Sequence, residues 1–135
     1  MHLVILDSLT GYVHAMPDEH FLTLHMHELL TWLGQRSVTT LLVLDQHGLL
    51  DVSLTPLLDL SYLADTVMLF RYFEYQATVH RAVSVIKRRS GPHENTIREL
   101  TLGPTGIGVS APLTQFQGAL TGLPMYEGDR TGGQP

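Results

Sequence analysis

The first fifty residues contain two apolar runs separated by a helix-like pattern. Residues 3–6 are an unbroken apolar run that ends in Asp7 and Ser8. Such a run is typical of a strand covered on both faces, as in a parallel sheet. A second run, residues 38–44, is rich in β-branched side chains and ends in Asp45 and Gln46. We therefore predict two buried strands.

The segment between these strands predicts a helix. Pro17 with Asp18 and Glu19 is a typical helix start, because proline is tolerated in the first turn and acids are favoured by the helix dipole. Apolar residues follow at helical spacing, and Gly34 is the expected end. Strand, helix and strand form a right-handed βαβ unit whose two strand ends meet at one edge. Function is expected at that edge.

The rest of the chain predicts an antiparallel extension. A short helical stretch at 57–63 precedes three strand-like segments at 66–73, 78–87 and 97–102. Turns are expected at 74–77, 88–93 and 103–106, and a short strand at 107–109. No period holds from residue 111 onward. The predicted organisation is an α/β domain over 1–110 and a tail over 111–135.

Composition narrows the possible functions. The chain has 135 residues, 8 Lys and Arg against 13 Asp and Glu, a net charge of −5 and no cysteine. This acidic balance argues against nucleic-acid binding, and the lack of cysteine excludes disulfides. The apolar runs are too short for a bilayer helix, and the start of the chain lacks the cationic segment of a signal peptide. We therefore expect no membrane contact and a cytoplasmic location.

Two places in the chain are candidates for chemistry. A strand ending in Asp7 is how P-loop ATPases place the Walker B acid, although an aspartate here can also simply cap a turn. The phosphate-loop pattern Gly-x-x-x-x-Gly-Lys-[Ser/Thr] occurs nowhere in the sequence, and the glycine-rich residues 103–108 lack its lysine. The basic turn after residue 86 is either a solvated cationic loop or the binding site of an anion.

The chain as a whole resembles the KaiC-like branch of the RecA-type ATPases. The resemblance runs from residue 3 to about residue 126 and rests on the order of several motifs. These motifs are Val-Ile-Leu-Asp-Ser-Leu at 4–9, Gln-His-Gly at 46–48, Asp-Leu-Ser-Tyr-Leu-Ala-Asp-Thr-Val at 59–67, Arg-Tyr-Phe-Glu at 71–74, Lys-Arg-Arg-Ser-Gly-Pro-His-Glu at 87–94 and Ile-Arg-Glu at 97–99. It implies part of a RecA-like P-loop NTPase domain, a parallel βαβ unit followed by antiparallel strands.

The resemblance implies roles for residues that follow the two parallel strands. Asp7 is similar to the Walker B acid that holds Mg²⁺ through a water, and Ser8 lies beside it at the ATP. Gln46 stands where RecA-like proteins keep a polar group that senses the γ-phosphate, and its amide can donate or accept a hydrogen bond.

The resemblance also implies a role for the basic turn. Lys87, Arg89 and His93 match the Lys-x-Arg and following His that reach the neighbouring subunit's ATP in KaiC-like rings. We call these three residues the finger. A finger of this kind neutralises charge on the γ-phosphate and makes hydrolysis depend on assembly of the subunits. The implied partners are ATP and KaiC-like subunits, in a homo- or hetero-oligomer that is a hexamer in the family.

The chain departs from the family pattern in two respects. The family's phosphate loop and its pair of catalytic Glu residues precede the Walker B strand, so we expect that about half of the domain is missing and that this chain alone does not hydrolyse ATP. Clock KaiC proteins carry adjacent Ser and Thr phosphoacceptors where this chain has Ser61 and Tyr62, so dual phosphorylation is not expected.

Three functional interpretations remain open from the sequence. The chain is a fragment or split piece of an ATPase, a non-catalytic module that docks on intact KaiC-like rings, or a decayed product without a stable fold. Two further ideas are weaker. His20, His25 and His27 have poor spacing for a helical metal site. Residues 71–73 and 87–89 combine aromatic and cationic side chains, but the net charge disfavours a nucleic-acid face.

Overall fold

The computed structural model describes residues 2–9, 11, 15, 19–45, 62–117, 119 and 125–126. These residues form two compact units. The first contains the described residues up to 45 together with Tyr62 and Leu63, and the second begins at Ala64. The predicted helix start at Pro17 and most of the predicted helix at 57–63 lie outside the described residues.

The first unit is the predicted parallel βαβ arrangement. Strand β1 (His2–Leu6) is followed by helix α1 (Glu19–Gln35) and strand β2 (Val38–Leu42). The two strands pair in parallel from His2 opposite Val38 to Leu6 opposite Leu42. Helix α1 extends one residue beyond Gly34 and closes with a tight turn, since the backbone N–H of Ser37 donates to the Gly34 carbonyl (2.9 Å).

One stripe of helix α1 supplies the core of the first unit. Leu22, Met26 and Leu33 are buried and Leu30 is partly buried, a spacing that puts them on one helix face. Leu9, from the segment after β1, is also buried and packs with Leu22 and Met26. Burial of this face, more than helix propensity, therefore stabilises the helix.

Strand β1 is covered differently from the sequence expectation. Leu3 and Ile5 are 60% and 55% exposed, while Val4 and Leu6 on the other face are half-buried. The expectation of burial on both faces was wrong for β1, and it was also wrong for β2, where Leu41 is 52% exposed. An apolar run shows that a strand is suited to burial, but the partner that buries each face is not encoded in the run itself.

The second unit contains a four-stranded antiparallel sheet. Its strands are β3 (Thr66–Tyr75), β4 (Thr78–Arg88), β5 (Arg98–Gly103) and β6 (Gly106–Pro112), in the spatial order in which they follow one another. The predicted antiparallel pairing is confirmed. The first turn is tighter than expected, because only Gln76 and Ala77 separate β3 from β4, and both have positive φ (50° and 57°).

The core of the second unit includes part of the segment that the sequence assigns to a tail. Phe73 and Ala82 are buried together with Ala119, and Leu113 and Phe116 pack against them. A short strand β7 (Phe116–Gln117) pairs with β8 (Met125–Tyr126). The described residues beyond 111 therefore contribute to the core and form a separate two-stranded sheet, whereas the boundary between a domain and a tail stays a prediction.

Membrane insertion of a helix has no support in the described part of the chain. None of its helices is both long and apolar enough to cross a bilayer.

Candidate functional site

The carboxyl ends of β1 and β2 meet at one edge, as the sequence predicts. The N–H of Val43 donates to the Leu6 carbonyl (2.9 Å), and the N–H of Leu9 donates to the Val43 carbonyl (2.8 Å). These bonds tie the segment after β1 to the segment after β2. Asp7 lies within the tied segment with an exposed side chain, Ser8 is half-buried, and the peptide bond between them is cis. Gln46 lies outside the described residues.

The donor set at this edge suits a hard cation. Asp7 offers an exposed carboxylate, and carboxylate and hydroxyl oxygens are the donors that Mg²⁺ prefers. One carboxylate is enough only where a bound phosphate and waters supply the remaining ligands. Among the described residues, no group of three or more His, Asp or Glu side chains is arranged to hold a metal ion.

The basic residues of the predicted finger lie at the end of β4. Lys87 is half-buried and stands opposite Val67 on β3, while Arg88 stands opposite Thr66. Strand β4 ends at Arg88, so Lys87 lies within the hairpin pairing and Arg89 lies one position beyond it. The structure thus places both cations of the Lys-x-Arg pattern at the same end of the hairpin.

A β-bulge next to these residues sets which face they occupy. The register shifts between Val67 and Met68, so that Lys87 pairs with Val67 and Val85 with Met68, and Ile86 has no counterpart on β3. A bulge inserts one residue and reverses the facing of every later side chain relative to an unbroken ladder. Without it, Arg88 would occupy the face on which Lys87 now lies.

Arg89 is attached to Asp65 by backbone and side chain. The N–H of Arg89 donates to the Asp65 carbonyl oxygen (2.7 Å), which extends the pairing of β3 and β4 by one position. Nη1 of Arg89 also lies 2.9 Å from Oδ1 of Asp65. The sequence reasoning did not single out Asp65. Its place in the sequence could have predicted this contact. Asp65 directly precedes β3, and antiparallel pairing in a hairpin brings that position next to Arg89, the residue after β4.

The turn after Arg89 has a defined conformation. Gly91 has φ of 78°, a left-handed conformation that side chains disfavour. Nη1 of Arg88 approaches the Pro92 carbonyl oxygen at 3.5 Å, the outer limit of a hydrogen bond. His93 is half-buried and lies four positions after Arg89 along the chain.

Glu94 fixes the far end of this turn. Its Oε1 accepts from the Thr96 hydroxyl and from Nε of Arg98 (2.7 Å), and Nη1 of Arg98 donates to the Ser110 carbonyl (2.7 Å). The Thr96 hydroxyl, followed by the Arg98 guanidinium, lowers the pKa of Glu94 below that of an ordinary glutamate. The turn is thereby joined to β5 and β6. Glu94 belongs to the motif at 87–94, but its role as an anchor was missed.

Comparisons with known proteins agree on one family. Residues 1–114 match the family model described as "ATPase: KaiC". The chain is 31% identical over 117 residues to the circadian clock oscillator protein KaiC of a Prochlorococcus marinus strain, which covers 87% of this chain and 19% of that protein. It is 33% identical over 67 residues to the circadian clock protein KaiC3 of a Synechocystis strain, covering 50% of this chain and 13% of that protein.

The fold and these matches define the class of the protein. A parallel pair joined through a helix and followed by an antiparallel sheet is consistent with part of a RecA-like ATPase domain. Within that class, the chain belongs to the KaiC ATPase family. It spans less than a fifth of the length of the curated relatives named above, from 13% to 19%.

Proposed function

We propose that this chain forms one part of a KaiC-type ATP site. The edge formed by β1 and β2 contributes Asp7 and Ser8, with Asp7 holding Mg²⁺ through a water. Mg²⁺ held there would supply positive charge that offsets the negative charge of the ATP phosphates. Gln46, outside the described residues, acts as the γ-phosphate sensor. The family membership and the exposed Asp7 carboxylate at a strand end support this assignment.

The second part of the proposal concerns a neighbouring subunit. Lys87 and Arg89, with His93 beyond them, act in trans on the ATP of the next KaiC-like subunit in an oligomer, a hexamer as in the family. The observation that carries the proposal is that Lys87 and Arg89 lie two positions apart at the same end of the hairpin, with the Arg89 side chain exposed. Two cations so close in the chain can approach one phosphate group together.

ATP hydrolysis requires a phosphate loop that this sequence does not contain. We therefore propose that residues 1–135 are inactive alone and that the site is completed by a segment that carries such a loop. We also propose a cytoplasmic location. The unpaired edges of the chain's sheets support this completion of the site. In the described residues, β1 and β2 pair only with each other, and β3 and β6 are the outer strands of their sheet. Such edges accept further strands.

The experiment is reconstitution of ATP hydrolysis. The full chain is mixed with a polypeptide supplying the segment upstream of the Walker B strand in the Prochlorococcus marinus KaiC, and Mg²⁺-dependent phosphate release is measured. We expect hydrolysis in the mixture and none from either chain alone. A Lys87→Ala/Arg89→Ala variant should lower kcat by at least about a hundredfold with little change in KM, since a finger acts in the transition state.

The control is Arg81→Gln on the same strand, which removes one positive charge from a residue that lies over the Tyr72 ring (5.7 Å). It should leave kcat unchanged. Equal activity of the finger variant and the unsubstituted chain would refute the trans role. No hydrolysis in any mixture, combined with capture of the chain by an intact KaiC ring, would favour the alternative of a non-catalytic docking module.

A further inference from the structure

Both side chains of the ion pair between Asp65 and Arg89 are exposed to solvent. The Arg89 side chain is 59% exposed and that of Asp65 is 78% exposed, with 2.9 Å between Nη1 and Oδ1. Exposed pairs of this kind are weak, because water competes for both groups and long side chains lose freedom when held. The guanidinium of Arg89 can therefore exchange its carboxylate partner for another oxyanion.

The backbone keeps the two residues together whether or not the side chains pair. The N–H of Arg89 donates to the main-chain carbonyl of Asp65, not to its carboxylate. Exchange of the side-chain partner thus leaves the end of the hairpin in place. The main-chain bond keeps the Asp65 backbone beside Arg89, so the Asp65 carboxylate can compete with an anion that approaches the Arg89 guanidinium.

Asp65 is the carboxylate that the structure pairs with Arg89. Lys87 stands opposite Val67 and Arg88 stands opposite Thr66, at the same end of the hairpin. Glu94, the next acid along the turn, is engaged by Thr96 and Arg98. A phosphate that approaches Lys87 and Arg89 therefore meets the Asp65 carboxylate, which repels it and already holds the guanidinium.

We propose that Asp65 acts as a gate for the finger. Its carboxylate pairs with the Arg89 guanidinium until a phosphate group, which carries more negative charge than a carboxylate, displaces it. This inference rests on the proposed function for the identity of the anion, the terminal phosphate of a neighbour's nucleotide. The gate keeps a basic turn from capturing free anions in solution. Arg89 then engages only where a bound nucleotide presents its phosphate in the correct position, and Lys87 assists by holding the same group.

The test uses inorganic tripolyphosphate as a probe on the full chain, with binding followed by the NMR signal of the Arg89 Nε–H at low ionic strength. Asp65→Asn keeps the size of the side chain and the backbone hydrogen bond but removes the charge. We expect Asp65→Asn to bind tripolyphosphate about fivefold more tightly than the unsubstituted chain. The double variant Asp65→Asn/Arg89→Gln should bind no better than Arg89→Gln alone, measured by calorimetry because its Arg89 signal is lost.

Glu74→Gln is the matched control, since it removes one exposed carboxylate from β3, at the end of the hairpin opposite to Asp65. It should leave tripolyphosphate affinity within about twofold of the unsubstituted chain, because the Coulomb interaction in water is small between charges at opposite ends of the hairpin. No gain in Asp65→Asn, a gain that persists without Arg89, or an equal gain in Glu74→Gln would each overturn the gate.

The measurement separates this inference from the proposed function. It needs neither a partner polypeptide nor ATP hydrolysis, so a tighter Asp65→Asn chain with no hydrolysis in the mixture would refute the ATP-site role alone. Asp65→Ser serves as the second variant. If Asp65→Asn fails to give the unsubstituted chain's cooperative melt, the same gain is required of Asp65→Ser, and its absence there overturns the gate.

Discussion

The ring of Phe73 stacks on the imidazole of His80 with 5.4 Å between the ring centroids. Nδ1 of the same imidazole lies 2.6 Å from Oε1 of Glu99, so one histidine connects the core of the second unit to strand β5. Phe116 contacts Phe73 edge to face at 5.8 Å. The hairpin that carries the finger is therefore fixed from its core side by an aromatic cluster.

Truncation of Phe73 is expected to destabilise this unit strongly. Phe73 is 3% exposed, so Phe73→Ala leaves a cavity beside His80 and Phe116. The free energy of unfolding should fall by about 3 kcal/mol. Phe70, on the opposite face of the same strand, is 58% exposed, and Phe70→Ala should cost less than about 1 kcal/mol. Urea denaturation of both variants measures the difference, and equal losses would contradict the core assignment.

The turn between β3 and β4 can be improved. Ala77 has a φ of 57°, where a β-carbon is unfavourable and glycine is not. Ala77→Gly should raise the free energy of unfolding by about 0.5–1 kcal/mol. Ala111→Gly, at an exposed position of β6 without a positive φ, is the matched control and should lower it. A loss of stability in both variants would show that the turn is not left-handed.

The contribution of Glu94 to the stability of the fold is expected to decrease at low pH. The Thr96 hydroxyl and the Arg98 guanidinium lower the pKa of Glu94 in the folded chain, so the folded state binds this proton less tightly than the unfolded state. Its contribution to stability is present above the unfolded pKa and is lost as the pH falls through the folded pKa.

NMR titration of the Glu94 side-chain carboxyl carbon measures this pKa directly. Thr96→Val and Arg98→Gln should each raise the pKa of Glu94 toward the value of an ordinary glutamate, with the larger effect from Thr96→Val. His93→Gln, next to Glu94 in sequence, is the control and should leave it unchanged. An ordinary pKa in the unsubstituted chain would contradict the anchoring of the turn.

The sequence predicted the elements because their signals are local. The apolar runs and the helical spacing between them gave β1, α1 and β2, and their parallel pairing followed from the crossover rule. The hairpins were likewise visible from strand-like segments separated by turn residues. The end of helix α1 was predicted to within one residue, because Gly34 is a local stop signal.

The features that were missed depend on contacts between distant positions. The attachment of Arg89 to Asp65 follows from the register of β3 and β4, including a bulge that no local pattern shows. The exposure of Leu3 depends on what covers the sheet, and the burial of Ala119 depends on a return of the chain to the core. Neither the exposure of Leu3 nor the burial of Ala119 can be predicted from the residues immediately around it.

The central claim is that this chain supplies part of an ATP site, and Mg-ATP calorimetry tests it most directly. The full chain is titrated alone and then after mixing with the upstream segment of a KaiC domain that carries the phosphate loop. The account predicts binding in the mixture, weakened by Asp7→Asn, and none by the chain alone. Absence of Mg-ATP binding in the mixture, or equally tight binding by the chain alone, would contradict it.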